Sequence, residues 1–324
     1  MPDESSIAEW HVPSVIKEIG RGKFGAKPMD RATAAKLYEA MLKREVSDLQ
    51  LGAILLAMRI KGETPEEIAG FLDACWPHCL TLPSTTPQGY APVLIPSYNG
   101  ARKKPNLTPL LAMLLAREGV PVFLHGVVRD AGRVTSAEIF QQLGIEECAD
   151  ADQVSAHWHN GLPAWMSLAT LSPKMSGLLN IRKELGLRNS THTLVKLLQP
   201  FGIPALRLTS YTHREYLTTL SEFAQNFVNK QEGALFLMRA TEGETVANTA
   251  RMQQVNAWYD GQLHILGETQ EIALEGAEVL PDALDASSTA KWIREVLCGE
   301  RAVPANIQAQ VELCCEWSRR LGCS

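Results

Sequence analysis

Cysteine is scarce in this sequence and irregularly placed. The seven cysteines make an odd number, and none falls in the paired clusters at ligand spacing that a zinc site needs. No apolar run approaches the roughly eighteen residues that span a membrane, and the acidic residues 1–6 lack the apolar core of a secretion signal. The sequence therefore predicts a cytoplasmic protein with reduced thiols, no metal site and no membrane partner.

Negative charge is in excess overall but unevenly spread. The net charge is −5 over 324 residues, yet residues 99–133 carry +4 and residues 174–214 carry +6. The rest of the chain therefore carries −15, which is the total of −5 less the +10 of the two windows. If folding brings these two positive segments to one face of the protein, they create a focused positive electrostatic field there. Such a field favours an anionic partner.

The first 88 residues predict a small helical domain. Apolar residues recur at helical spacing in residues 10–19, and capping residues predict helices that begin after Asp30, Ser47 and Thr64. Residues 82–89 have the composition of a linker. We therefore expect an N-terminal helical domain at residues 1–88 and a second domain at residues 89–324.

The second domain alternates short apolar runs with helical segments. Strands are predicted at residues 93–95, 120–124, 205–209 and 234–238. Helices are predicted at residues 107–117, 137–143 (with Ser136 as the cap), 174–185, 290–297 and 307–321. This alternation indicates the α/β class: a small N-terminal helical bundle domain plus a larger α/β domain with a mainly parallel central sheet.

The segment at residues 97–104 has the order strand, turn and helix start that holds phosphate in many α/β domains. Backbone N–H groups in such a turn point at an anion, and glycines allow the close approach. This turn has one glycine, Gly100, and then three consecutive cations, Arg102, Lys103 and Lys104. By itself the pattern is also typical of a solvated basic turn.

Four stretches resemble a known family. Residues 45–69 and 182–188 closely resemble segments of the anthranilate phosphoribosyltransferases and the related pyrimidine nucleoside phosphorylases, and residues 119–126 and 296–300 resemble two further segments. The matching segments occur in the same order as in the family and extend over nearly the whole chain. It implies the fold of that family, with a helix near residues 173–190 that returns to the helical domain, and a homodimer formed through the helical domain.

The catalytic motifs of the family are mostly absent from the matching positions. Its enzymes hold a diphosphate on a Gly-Thr-Gly-Gly-Asp turn, where this sequence reads Ser-Tyr-Asn-Gly-Ala at residues 97–101. Their Lys-His-Gly-Asn-Arg segment corresponds to Leu-His-Gly-Val-Val at residues 124–128, and their magnesium-holding Asp-Glu pair falls near residues 242–244, where at most one acidic ligand aligns. The resemblance thus implies a poor transferase, and we expect no catalytic residue, cofactor or metal.

Positive charge stands in place of those motifs, and this resembles the DNA-binding paralogue group of the family, the YbiB type. The resemblance predicts a non-catalytic nucleic-acid-binding homodimer that holds the phosphate backbone of DNA or RNA in a basic cleft, with little sequence specificity. The predicted nucleic-acid-binding residues are Arg102, Lys103, Lys104, Arg129, Arg133, Lys174, Arg182, Lys183 and Arg188.

Two other functions stay open. A phosphoribosyltransferase with altered donor and acceptor sites is supported by Arg182, Asn106 and Thr108, which match family residues. A protein-interaction dimer would use the same basic cleft for an acidic partner. Aromatic residues are sparse in the two positive windows, so no stacking platform is evident and the preference between single strand and duplex stays open.

Several other residues have an ordinary structural interpretation. We expect His157 and His159 to lie in a loop rather than at a metal, and His125 to be structural. Arg207 and Lys196 are interpreted as solvated charges. The apolar stripe at residues 49–58 is interpreted as core or dimer surface, because an apolar helix face normally packs.

Overall fold

Four helices form the N-terminal part of the computed structural model, which describes residues 10–22, 24–251, 254–267 and 280–323. They are α1 (Val12–Ile19), α2 (Arg31–Leu42), α3 (Asp48–Lys61) and α4 (Pro65–Cys75). The Asp30 carboxylate accepts the Thr33 N–H at the start of α2, and Ser47 and Thr64 close capping boxes on α3 and α4. The three predicted caps are confirmed, since each depends only on residues within one helical turn.

One mixed sheet follows these helices. Its strands are β1 (Val93–Ser97), β2 (Val122–Gly126), β3 (Ala164–Ser167), β4 (Ala205–Tyr211), β5 (Gly233–Arg239), β6 (Val255–Tyr259) and β7 (Gln262–Leu266). The strand order within the described residues is β3-β2-β1-β4-β5-β6-β7; the first five strands are parallel and the last two antiparallel. The predicted fold class, a helical bundle plus a mainly parallel α/β domain, is confirmed.

Further helices in the described residues cover the sheet or join it to the bundle. They are α5 (Thr108–Arg117), α6 (Ser136–Leu143), α7 (Ala151–His159), α8 (Leu168–Leu171), α9 (Pro173–Asn180), α10 (Arg182–Leu185), α11 (Thr191–Leu194), α12 (Arg214–Phe227), α13 (Ala286–Leu297) and α14 (Ala305–Gly322). None of the helices in the described part of the chain is long and apolar enough to cross a membrane.

Several predicted helix boundaries are wrong; the helix predicted at residues 290–297, for example, is α13 and begins at Ala286. The cap of α6 is Thr135, whose hydroxyl accepts the Glu138 N–H, while Ser136 is the first helical residue and its hydroxyl pairs with that of Ser97 at 2.7 Å. The capping-box spacing fits Thr135 and not Ser136, because the partner Glu138 must lie three residues after the cap. The predicted helix at residues 174–185 is divided into α9 and α10.

The two faces of the sheet bury different partners. One face packs against α5, α6, α13 and α14. On the other face, Leu235, Leu237 and Trp258 belong to the same buried cluster as the cores of α2, α3 and α4. A buried hydrogen bond of 2.8 Å between Tyr38 and Thr191 also joins α2 to α11. The helical bundle is therefore packed directly on the α/β part, beside the carboxyl ends of the parallel strands.

Several elements were not foreseen. Strand β3 is only four residues long, and the β6–β7 hairpin and α12 were also missed. The hairpin turns on Asp260 and Gly261, both at positive φ, and this Asp-Gly pair is a sequence signal for a two-residue turn. His157 and His159 lie on helix α7 and not in a loop, so that prediction is wrong.

Arg207 is not a solvated charge. Its side chain is buried on β4, where its guanidinium pairs with the Glu232 carboxylate at 2.9 Å and donates to the Leu197 carbonyl at 3.2 Å. Lys196 is partly buried and donates to the Gly243 carbonyl at 3.3 Å. Burial lowers the pKa of Lys196 to about 8, because the charged form loses solvation.

Candidate functional site

A cleft opens at the carboxyl ends of the parallel strands, which is where open α/β sheets bind ligands. Its volume is about 400 Å³. The loops after β1, β2, β4 and β5 and the segment between α10 and α11 form its walls. We call it the basic cleft, and its lining residues are Asn99, Arg102, Lys103, Arg133, Arg188, Thr212, His213, Arg239, Ala240, Glu242 and Gly243.

Five cations and one carboxylate line the basic cleft. The pKa of Arg188 is lowered by partial burial and then by repulsion from two neighbouring cations, Arg182 outside the cleft and Arg133 within it. Within the described part of the chain, none of the five cations forms an ion pair with a carboxylate. The cleft therefore presents a concentrated positive charge that an anion would neutralise.

Two of the cations are held in place by neutral acceptors. The Arg133 guanidinium donates to the carbonyl oxygens of Gly100 (3.1 Å) and Glu242 (3.2 Å). The Arg188 guanidinium donates to the Asn99 side-chain oxygen at 2.8 Å. Because these partners carry no charge, the hydrogen bonds orient both guanidinium groups without cancelling their charge.

The turn after β1 is already satisfied from within the chain. The Glu244 carboxylate accepts the N–H groups of Asn99 (2.9 Å) and Gly100 (2.7 Å), and we call these two N–H groups the amide pair. Glu242 approaches the N–H groups of Arg102 and Lys103 at 3.4 Å. The turn thus has the geometry that was expected to face a bound anion, but the acceptor at the amide pair is a side chain of the protein itself.

The same two carboxylates do not fit a magnesium ion. Glu244 is 1% exposed and bound to the amide pair. The described residues contain no group of three His, Cys, Asp or Glu side chains that could hold a metal. His157 and His159 each place Nδ1 beside a backbone carbonyl of their own segment, at 3.1 Å and 2.7 Å. Glu244 Oε2 is buried without a hydrogen-bond partner, but a hard cation needs several converging oxygen ligands, and the described residues do not bring further carboxylates to it.

The structure brings four of the nine predicted binding residues into the basic cleft: Arg102, Lys103, Arg133 and Arg188. The other five do not line it. The Lys104 ammonium donates to Asn248 at 3.2 Å, and Arg182 lies 3.7 Å from the Asp130 carboxylate. The remaining three, Arg129, Lys174 and Lys183, are exposed outside the cleft.

Sequence reasoning missed a fifth cleft cation and an adjoining cavity. Arg239 is the last residue of β5, and the residues before it in the strand are buried. A cation at the end of a buried parallel strand is expected at the carboxyl edge of the sheet, where Arg239 lines the cleft. The adjoining cavity, about 710 Å³, shares Thr212 and Arg239 with the basic cleft and adds Arg214 and Arg251. We call it the arginine cavity. Arg251 lies in no predicted element, so nothing in its surrounding sequence pointed to this place.

The aromatic residues near the cleft are mostly unavailable. Tyr98 is buried, and its hydroxyl contacts His125 Nδ1 at 2.7 Å. Burial lowers the pKa of His125 to about 3, so this ring is neutral at physiological pH and structural, as predicted. Phe123 and Phe201 pack edge to face in the core. Of the tyrosine and phenylalanine residues of the two positive windows, Tyr211 is the one that is partly exposed, and it lines the arginine cavity.

Comparisons with known proteins agree on the family and the fold. Residues 13–78 match the family model described as "Glycosyl transferase family, helical bundle domain". The uncharacterized protein YbiB of Escherichia coli K12 is 43% identical over 302 residues, which cover 93% of this chain and 92% of YbiB. An anthranilate phosphoribosyltransferase of Bradyrhizobium is 26% identical over 287 residues, covering 87% of this chain and 82% of the enzyme.

Solved structures show the same architecture. The anthranilate phosphoribosyltransferase of Thermus thermophilus superposes with a TM-score of 0.72 at 20% identity, over 96% of this chain and 88% of that chain. The enzyme of Saccharomyces cerevisiae in complex with PRPP and Mg gives a TM-score of 0.70 at 14% identity, with the same coverage. At such identities the likeness establishes the fold alone, and the activity has to be argued from the site.

Proposed function

This chain belongs to the anthranilate phosphoribosyltransferase-like family, and on that premise we propose that it is a non-catalytic protein that binds nucleic acid along its phosphate backbone. The observation that carries the proposal is the pairing of two features. Five cations line the cleft where the fold binds its ligands, while the amide pair beneath them is occupied by Glu244. The cleft attracts anions but offers little room for a compact diphosphate bound through the backbone.

The distribution of the cations favours a polymeric anion as the ligand. Arg102 and Lys103 are exposed on the loop after β1, and Arg239 is exposed at the end of β5, so these cations are spread over two places in the cleft and can neutralise different phosphates. Binding of this kind gains free energy by releasing counterions from the nucleic acid and reads little sequence. The arginine cavity continues the positive lining past Arg239 to Arg214 and Arg251, which lengthens the surface available to a chain of phosphates.

We further propose that the protein is a homodimer formed through its helical domain. Helix α3 exposes Leu49, Leu56 and Ile60, which are 85%, 48% and 53% exposed, at the spacing of an apolar seam. We call these residues the α3 stripe. Beside them, an apolar groove of about 440 Å³ continues to Leu185 and Leu187. An apolar surface of this kind marks an interaction site, and a second copy of the stripe matches its chemistry.

The proposed dimer would bring two clefts near each other. Arg188 lines both the basic cleft and the apolar groove beside the α3 stripe. Two copies joined at the stripe would therefore place nucleic-acid contacts on either side of the interface. Linked contacts of this kind raise the apparent affinity for a long strand over that for a short one.

The test is binding of labelled single-stranded and duplex oligonucleotides by the wild-type protein across a salt series. We expect log K to fall linearly with log salt, with a slope that reports the number of phosphates neutralised. Absence of binding even at low salt would refute the proposal. Comparison of DNA with RNA, and of short with long strands, decides the preferred polymer.

The alternative function is a phosphoribosyltransferase with altered donor and acceptor sites. The names of the enzymatic relatives support it, and so does Arg182. Asn106 supports it less, because its buried side chain bonds to Val134 and Ser136 and to the Thr108 N–H, which is a structural role. Magnesium-dependent binding of phosphoribosyl diphosphate would favour this alternative. The third candidate is an acidic protein partner, and it predicts that neither single-stranded nor duplex nucleic acid competes for the cleft.

A further inference from the structure

We propose that Glu244 is a built-in acceptor that fills the amide pair and thereby excludes free phosphate and diphosphate from the turn after β1. This makes Glu244 a specificity-determining residue of the basic cleft. The inference concerns which anions the turn admits, and it stands whether or not the cleft binds nucleic acid.

The geometry at the amide pair is that of an anion site with its ligand in place. Two consecutive backbone N–H groups converge on one oxygen of Glu244, at 2.9 and 2.7 Å, and the side chain is 1% exposed. Consecutive N–H groups in a turn form a concavity that favours a negatively charged acceptor. Hydrogen bonds from N–H groups to a carboxylate are of the stronger, charge-assisted kind.

The loop that carries Glu244 is fixed against the turn by independent contacts. The Gly243 carbonyl accepts from the Asn99 side chain at 2.8 Å, from Lys196 at 3.3 Å and from Ser210 at 3.3 Å. A side chain at Gly243 would lie 2.7 Å from the Asn99 side chain, and its φ is +100°. Glycine is therefore required for this close approach. The carboxylate is held at the amide pair by its whole loop, so it does not easily give way to a competing anion.

Direct occupancy of the amide pair excludes a second acceptor. A phosphate oxygen could take these two hydrogen bonds only by displacing Glu244 Oε1, which lies 2.9 and 2.7 Å from the two nitrogens. Burial raises the pKa of Glu244, while the hydrogen bonds from the turn after β1 and the charge of Lys196 act in the opposite direction. A polymer does not need these two N–H groups, since it can bind through the exposed cations of the rim.

The experiment is calorimetric titration of inorganic pyrophosphate, without metal, into three variants and the wild type. Glu244→Ala vacates the amide pair. Glu244→Gln keeps the site filled by a neutral acceptor of the same shape. Glu242→Ala removes one negative charge from the lining of the same cleft but leaves Glu244 in place. Each change replaces one acidic residue by a neutral one, and only Glu244→Ala leaves the amide pair vacant.

We expect Glu244→Ala to bind pyrophosphate at least about tenfold more tightly than the wild type, which corresponds to about 1.4 kcal/mol. Glu244→Gln and Glu242→Ala should gain much less. An equal gain in Glu242→Ala would show that net charge and not the amide pair controls binding, and would overturn the proposal. The same holds if a folded Glu244→Ala shows no gain.

A measurement on the wild type keeps the proposal testable if Glu244→Ala does not fold. The backbone amide resonances of Asn99 and Gly100 should stay unchanged when pyrophosphate is added in excess, because their N–H groups already have an acceptor. A saturable shift of these two resonances in the wild type would overturn the proposal. Oligonucleotide binding is measured separately, so its failure and the failure of this inference remain distinguishable.

Discussion

The salt dependence of binding gives the sharpest prediction for the basic cleft. The change is the triple substitution of Arg102, Lys103 and Arg239 by alanine, which removes three of the five cations that line it. If each cation neutralises one phosphate of a duplex, the wild type has a log–log slope of about −4.5 and the variant about −1.8. Between 50 and 200 mM salt, the wild type should lose about 500-fold in affinity and the variant about 12-fold.

The control is a triple variant with the same change in net charge outside the cleft. Arg129, Lys174 and Lys183 are exposed and do not line the cavity, and they belong to the set that the sequence predicted to bind. Fluorescence anisotropy of a labelled oligonucleotide, read at several salt concentrations, measures both slopes. The control should keep a slope near that of the wild type. An equally shallow slope in the control would refute the assignment of binding to the cleft and indicate a diffuse charge effect.

The remaining predictions concern assembly and stability. Leu56→Asp should convert a dimer to the 35.6 kDa chain in analytical ultracentrifugation, whereas Leu263→Asp, at a similarly exposed position on β7, should not; a wild-type monomer would contradict the proposed interface. Burial lowers the pKa of His125 from 6.5 to about 3, so the unfolded chain binds more protons between those values and stability falls as the pH drops through that range. His125→Gln should therefore lose about 2 kcal/mol less than the wild type between pH 7 and 5 in urea unfolding, and an unchanged loss would refute this cause. Gly126→Ala places a Cβ 2.0 Å from the Ser97 carbonyl oxygen and should destabilise the protein by more than about 2 kcal/mol, while a change below about 0.5 kcal/mol would show that β1 and β2 can separate without cost.

Local signals in the sequence predicted much of the fold. The caps at Asp30, Ser47 and Thr64 were correct because the hydrogen bond between a cap side chain and the helix is complete within four residues. The buried parallel strands were found because they are continuous apolar runs. Thr135 was missed in favour of its neighbour Ser136, although Glu138 lies at the spacing that selects Thr135. The residues that select Thr135 as the cap are therefore present in the sequence itself.

The site was less predictable, because its contacts join residues far apart in the chain. Glu244 and Asn99 are separated by 145 positions, and nothing local to either one shows that the carboxylate faces the amide pair. The charge of Arg207 is likewise neutralised by Glu232, 25 positions away, so a residue that looked solvated is buried. The two positive windows of the sequence contain four of the five cations that line the cleft. They could not show which cations point into it, since a helix or loop exposes neighbouring side chains in different directions.

The structure also separates the exposed cations, to which we assign binding, from those that hold the cleft together. Arg133 and Arg188 donate to the loops after β1 and β5, so replacing either one would alter the shape of the cleft as well as its charge. Arg102, Lys103 and Arg239 are exposed. Replacing an exposed side chain of this kind changes the free energy of unfolding by no more than about 0.5 kcal/mol. A loss of binding in the triple variant of these three can therefore be attributed to the missing charges. An Arg188 variant would not separate binding from assembly, because Arg188 lines both the basic cleft and the groove beside the α3 stripe.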